Sequence, residues 1–162
     1  MRVVISLDPA DIDAAISYIN EYAYNLKDRC MELCRRLAEY GELLAVVAFD
    51  GVQYLGLKDV TVSAEQTEQG YRILANGETA LLLEFGAGVT LGYGHPEAEK
   101  YGMGPGTYPD GKGHWDDPNG WWLPREKGGG HTYGNIPGKA MYDARQQMVQ
   151  SIGRIAREVF AP

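Results

Sequence analysis

The stretch Asp8-Pro-Ala-Asp-Ile-Asp-Ala-Ala-Ile-Ser-Tyr-Ile-Asn-Glu-Tyr-Ala-Tyr-Asn-Leu-Lys-Asp-Arg-Cys-Met-Glu-Leu-Cys-Arg-Arg-Leu-Ala-Glu-Tyr-Gly41 decides how this chain folds. Asp8 followed by Pro9 is a helix start. The carboxylate sits at the N-cap, and the proline occupies the first turn, where its missing N–H costs nothing. From there Ile12, Ile16, Ile19, Ala23, Leu26, Cys30, Leu33, Leu37 and Tyr40 follow at alternating spacings of four and three. Such a 3.5-residue apolar seam, held for about four heptads, belongs to an amphipathic helix, with Gly41 as the residue that closes it. Drawn from Pro9 to Tyr40, that helix is roughly 48 Å long at ~1.5 Å per residue. Two compatible uses suit its length: lying across a sheet as a core helix, or projecting to pack on a neighbouring subunit.

Working outward, the section from about Leu43 to Asn76 reads as strands. Leu44-Ala-Val-Val-Ala-Phe49 is a short apolar run bounded by Asp50-Gly51, a favoured hairpin turn. Val60, Val62 and Ala64 alternate with Thr61, Ser63 and Glu65, the period-2 mark of a half-buried strand. Gln69-Gly70 turns the chain into Tyr71-Arg-Ile-Leu-Ala75, and Asn76-Gly77 ends that strand. Val3-Val4-Ile5 is a candidate edge strand. Ala80-Leu-Leu-Leu-Glu-Phe85 reads as a short helix ending at glycines. From Gly92 to Gly138 the composition shifts to Gly, Pro, Tyr, Trp, His and Asp, which reads as a long loop. After Pro137-Gly138 a final helix runs to about Phe160, with Met141, Ala144, Met148, Ile152, Ile155 and Val159 as its apolar stripe. The expected fold is α+β. A long N-terminal amphipathic helix and a C-terminal helix pack on a small antiparallel sheet, within one domain spanning residues 1–162 that carries 92–138 as a Gly/aromatic-rich loop insertion.

At 162 residues the chain is long enough to bury a real core. Hydrophobic residues make up 44% and charged residues 23%, both ordinary for a globular protein. The net charge of −7 speaks against nucleic-acid binding, because neutralising phosphates needs a concentrated Lys/Arg surface. Arg35 and Arg36, the one adjacent basic pair, read as a solvated helix face. No apolar run approaches the ~20 residues that cross a bilayer. The apolar start is too short for a secretory signal, so the chain is expected to be made in the cytoplasm. Cys30 and Cys34 share a helix face but not disulfide geometry, and read as buried reduced thiols.

Enzymatic readings find little to hold. His95, His114 and His131 lie among Glu97, Asp110, Asp116 and Asp117, residue types that bind metals, but no spacing matches a zinc or calcium frame. Gly104-Pro-Gly106 and Gly128-Gly-Gly130 lack the strand, helix and lysine of a phosphate loop. No serine sits in a Gly-x-Ser-x-Gly elbow. The expectation is therefore a protein that is not an enzyme, with no cofactor and no metal. The remaining feature is the aromatic loop with Trp115, Trp121, Trp122 and Tyr133. Tryptophan and tyrosine give large contact area at low rotamer cost and are enriched at interfaces. The same rings can fold back on the chain's own core. They can also stack on a sugar, which makes a glycan- or cell-wall-binding module the alternative.

Ala80-Leu-Leu-Leu-Glu-Phe-Gly-Ala-Gly88 resembles the signature of the tailed-phage head–tail joining (neck) and minor tail-component proteins. Members of that family carry apolar residues followed by Glu-Phe-Gly-Thr-Gly. Glu84, Phe85, Gly86 and Gly88 match, and Ala87 replaces the usual threonine. Ile136-Pro-Gly-Lys-Ala-Met141 is similar to the family's proline-led approach to its last helix, although it departs from the usual Pro-Phe-Leu/Met wording. The resemblance implies an α+β subunit of a virion or prophage tail-like particle, assembled in the host cytoplasm. It implies partners too: copies of itself in a ring, the neighbouring head connector, and tail-terminator or tail-tube proteins. DNA would pass through such a ring without sequence-specific contact. Read physically, Phe85 would anchor the short helix in the core, Gly86 and Gly88 would permit φ > 0 or a close backbone approach, and Glu84 could bond free backbone N–H groups or a neighbour's basic residue. Glu84, Phe85, Gly86, Gly88, Trp115, Trp121, Trp122 and Tyr133 are the expected subunit or partner contacts.

Overall fold

The computed structural model describes residues 8–106 and 116–161. The expected edge strand Val3–Ile5, and Asp110, His114 and Trp115, lie outside the described residues. The protein is α+β, with a long N-terminal helix, a C-terminal helix and two small antiparallel two-stranded sheets.

Helix α1 spans Pro9–Gly51, 43 residues and about 65 Å at ~1.5 Å per residue. Its start is the one read from sequence: the Asp8 carboxylate accepts from the backbone N–H of Ala10 at 3.1 Å. Its end is not. The expected strand over Leu44–Phe49 is helical, and Asp50-Gly51 ends a helix rather than turning a hairpin. Ala38, Gly41, Ala45 and Phe49 are buried at spacings of three and four, while Leu43 and Val47 face outward. A short apolar run fits either period, and tertiary packing chose the helical one. Gly41 does not close the helix. A Cβ there would lie 2.0 Å from Met148 Sδ and 2.6 Å from Ile73 Cδ1, so the glycine admits the close approach of its neighbours. Lys58 Nζ reaches back to the carbonyls of Phe49 (3.2 Å) and Asp50 (2.6 Å), supplying a donor to the last carbonyls of the helix.

Strand β1 (Thr61–Thr67) pairs antiparallel with β2 (Gly70–Asn76) around a Glu68–Gln69 turn, in the register Val62↔Ala75 and Ala64↔Ile73. Val60, Val62 and Ala75 pack on a core of Phe49, Leu83 and Ala140. Helix α2 (Ala80–Phe85) follows, and α3 (Ala140–Phe160) closes the fold against α1. Gly41 meets Met148 in mid-helix, and Arg29 Nη1 donates to the carbonyl of Ala161 at 3.5 Å, so α3 runs antiparallel to α1 and ends near residue 29. Toward its N-terminus α1 is less covered: from Asp8 to Cys30 no described residue is buried, and Cys30, expected inside, is exposed. Arg35 and Arg36 are tied to Glu32 at 2.8 and 2.7 Å on the helix surface. The guanidiniums of Arg35 and then Arg36 hold the Glu32 carboxyl down at about 2.

The region read as a uniform loop contains further structure. Strands β3 (Trp121–Leu123) and β4 (Gly130–Thr132) form a short antiparallel hairpin, and single 3-10 turns occur at Glu99–Tyr101 and Arg125–Lys127. The hairpin rests against residues 55–57, where Leu57 N donates to the Lys127 carbonyl at 3.1 Å.

Candidate functional site

The Glu84-Phe85-Gly86-Ala87-Gly88 segment is the joint at which α2, the 133–137 strand-like segment and α3 meet. Helix α2 is short and its N-cap, Thr79, makes no capping bond of its own. Asp59 instead pins the turn that leads into the helix. Its carboxylate accepts from the backbone N–H of Glu78 (2.7 Å) and Thr79 (2.9 Å), and from the Thr79 hydroxyl. That hydroxyl, followed by the two backbone donors, lowers the Asp59 carboxyl below its ordinary value.

Past α2 the chain pairs at Ala87 with Asn135 through Ala87 N to Asn135 O (2.9 Å) and Asn135 N to Ala87 O (3.1 Å). Gly86 and Gly88 have φ of 80° and 84°. A Cβ on Gly88 would stand 2.2 Å from the Tyr133 carbonyl oxygen, and one on Gly86 would stand 2.7 Å from Pro137 Cδ. The glycines are required by this approach as well as by the left-handed backbone.

Glu84 is 7% exposed, and its carboxylate holds the start of α3. Oε2 accepts from Met141 N at 2.8 Å and Oε1 from Tyr142 N at 3.0 Å, the N2 and N3 donors of that helix. An N-cap side chain ordinarily satisfies those donors. Here the N-cap residue is Lys139, which sits at φ 54° and makes no capping bond. The cap therefore comes from a residue more than fifty positions away, and its charge lies at the positive end of the helix dipole. The adjoining backbone adds Gly138 N to Leu83 O (2.7 Å) and Lys139 N to Glu84 O (3.1 Å). His95 Nε2 lies 3.1 Å from Glu84 Oε1, while its Nδ1 accepts from Glu97 N at 3.1 Å. Because Nδ1 accepts, Nε2 carries the proton and donates to Glu84. The imidazole lies between Phe85 (4.3 Å) and Tyr142 (5.6 Å). Nearby, Asn135 Nδ2 donates to the Leu82 carbonyl at 2.8 Å.

Both oxygens of Glu84 and both nitrogens of His95 are thus engaged in holding structure. Among the described residues no three His, Cys, Asp or Glu side chains converge on a metal position. Above Glu84, Phe85 and His95 lies a cavity of about 650 Å³ between α1, β2 and α3. Its walls are mostly apolar, with Cys34, Leu37, Tyr71, Ile73, Leu81 and Met148 among them. Arg145 and Glu97, 3.6 Å apart, stand at its mouth.

The residues expected to make contacts divide in two. Glu84, Phe85, Gly86 and Gly88 lie inside the chain, where they build the joint and the cavity floor. Trp122 and Tyr133 lie outside, 75% and 53% exposed, with His131 between them at ring distances of 5.2 and 5.0 Å. Trp121, next to them on β3, is half-buried. Sequence reasoning missed Asp59 and Asn135, and it weighed His95 only as a metal ligand. One signal was readable: the sequence before α3 offers no Ser, Thr, Asp or Asn at the cap, so the acceptor had to come from elsewhere. Compared with family models, with curated proteins and with solved structures, the chain matches none, so the geometry carries the functional reading.

Proposed function

We propose that this chain is a structural assembly subunit of a tailed phage or prophage tail-like particle. It joins the head connector to the tail and acts by ring-forming contacts between copies and with neighbouring neck or tail proteins. The observation that carries this reading is the bare half of α1. Ile12, Ile16 and Ile19 are 39%, 52% and 59% exposed on one helix face, along a stretch that holds no buried residue among the described residues. An isolated helix is marginal in water without an apolar face to bury, and a contiguous exposed apolar stripe marks an interaction site. The site chemistry supports the same reading, since Glu84 and His95 are spent on positioning α3. The Glu-Phe-Gly-x-Gly resemblance supplies the particular assembly. Net charge of −7 suits a channel that repels DNA phosphates instead of gripping them. The test is removal of the gene from the phage or prophage. The reading expects filled heads and finished tails to accumulate unjoined, with joining restored by the intact chain. Normal particles from the deletion would refute it.

A second reading draws on Trp122, His131 and Tyr133, an exposed aromatic group of the kind that stacks on sugars. Tryptophan fluorescence titrated with cell-wall oligosaccharides separates the two. Saturable quenching lost in Trp122→Ala favours the glycan-binding module, and an unchanged spectrum favours assembly.

A further inference from the structure

The bare stripe of α1 and the apolar cavity are complementary surfaces that one chain cannot bring together. Ile16 and the cavity-lining Cys34 lie on the same helix, eighteen residues and roughly 27 Å apart at ~1.5 Å per residue. The helix would have to break for them to meet. We infer that the cavity between α1, β2 and α3 receives the Ile12–Ile16–Ile19 ridge of a second copy of this chain. The inference rests on the self-assembly part of the proposed function and names its contact.

Two observations point to a copy as the occupant, and the placement of the surfaces then sets the symmetry of the contact. The ridge continues the seam that already packs on α3 farther along α1, so it presents the surface this fold is built to bury. Its first turns carry Asp8, Asp11 and Asp13. The cavity mouth carries Arg145 and, beside it, Lys100, both reaching Glu97 (3.6 and 3.9 Å) with most of their side chains in solvent. Acidic ridge and basic rim are opposite in sign, the complementarity that steers two surfaces together. Finally, the donor and acceptor surfaces are different patches of one molecule, so the contact is heterologous and propagates from copy to copy, closing into a ring where the rotation allows.

The test uses the full chain with Cys30→Ser, leaving Cys34 as the one native thiol. Adding Ile16→Cys and oxidising mildly should link copies through residue 16 of one and Cys34 of the next, giving a ladder on a non-reducing gel. The ladder should vanish when Cys34→Ser is added. Independently, Ile16→Asp should weaken assembly in sedimentation at least tenfold without changing the circular dichroism spectrum or the melting temperature. If the protein assembles, yet no linkage to Cys34 forms and Ile16→Asp assembles normally, the inference falls and assembly stands. Linkage between two residue-16 cysteines that survives Cys34→Ser would also overturn it, showing ridge on ridge. A chain that stays monomeric at every concentration would remove both the inference and self-assembly.

Discussion

Replacing Glu84 by alanine should uncouple α3 from the rest of the fold. The carboxylate takes two backbone N–H groups at the start of α3 and the imidazole N–H of His95, at a position 7% exposed to solvent. Losing an N-cap costs about 0.5–2 kcal/mol, and a buried donor left without an acceptor costs about 1–3 kcal/mol. Water entering from the cavity would satisfy part of this, so Glu84→Ala should cost about 3–5 kcal/mol. That is a large share of the ~5–15 kcal/mol that holds a domain together. Glu84→Gln keeps one acceptor oxygen but turns an NH2 group toward a donor and removes the charge at the helix end. It should cost about 1.5–3 kcal/mol. Urea unfolding followed by tryptophan fluorescence gives both values, and hydrogen exchange locates the loss. Protection at Met141 and Tyr142 should fall before that of β1 and β2. A Glu84→Ala protein within 0.5 kcal/mol of wild type would show that the carboxylate is not what anchors α3.

Four further outcomes follow from the same geometry. Gly88→Ala combines a φ of 84° with a Cβ 2.2 Å from the Tyr133 carbonyl oxygen, and should cost about 2–5 kcal/mol. Gly51→Ala, where nothing lies within 4 Å, should be neutral or stabilising by up to ~1 kcal/mol, and thermal melts compare the two directly. Asp59 has a lowered carboxyl in the folded state, so its contribution is present above about pH 4, the unfolded value, and is lost as pH falls through the folded one. The urea midpoints of wild type and Asp59→Asn should therefore differ at pH 6 and converge in acid; a gap that widened in acid would reverse the assignment. Trp122→Ala should leave stability unchanged because that ring is 75% exposed, while impairing attachment of tails to heads in a complementation assay.

The elements made of local signals were legible in the sequence. The Asp8-Pro9 cap, the alternation through Val60, Val62 and Ala64, the helix before Gly86 and the stripe of α3 each mark structure found there. What failed were signals whose cause lies far away in the chain. Gly41 looked like a helix end, yet its reason is the crowding of Met148 and Ile73, residues distant in sequence. The apolar run after it then had no local feature to separate strand from helix. The β3–β4 hairpin is only three residues on each strand and sits in glycine-rich sequence, where no alternation can show. For the candidate site, the glycines of the Glu-Phe-Gly segment were read for the positive φ and close approach they provide. Glu84 was read as an acceptor for backbone N–H groups, but the helix it caps and the histidine beside it were not foreseen. Both depend on segments that come together only once α3 has docked.

The most direct test of the assembly role is quantitative mass spectrometry of purified phage or tail-like particles from the source cells. A small fixed number of copies per particle, of the size a single ring requires, is the predicted result. Intact particles without this chain, with the protein free in the lysate, would contradict the account and bring the aromatic group on the β3–β4 hairpin forward as the working surface.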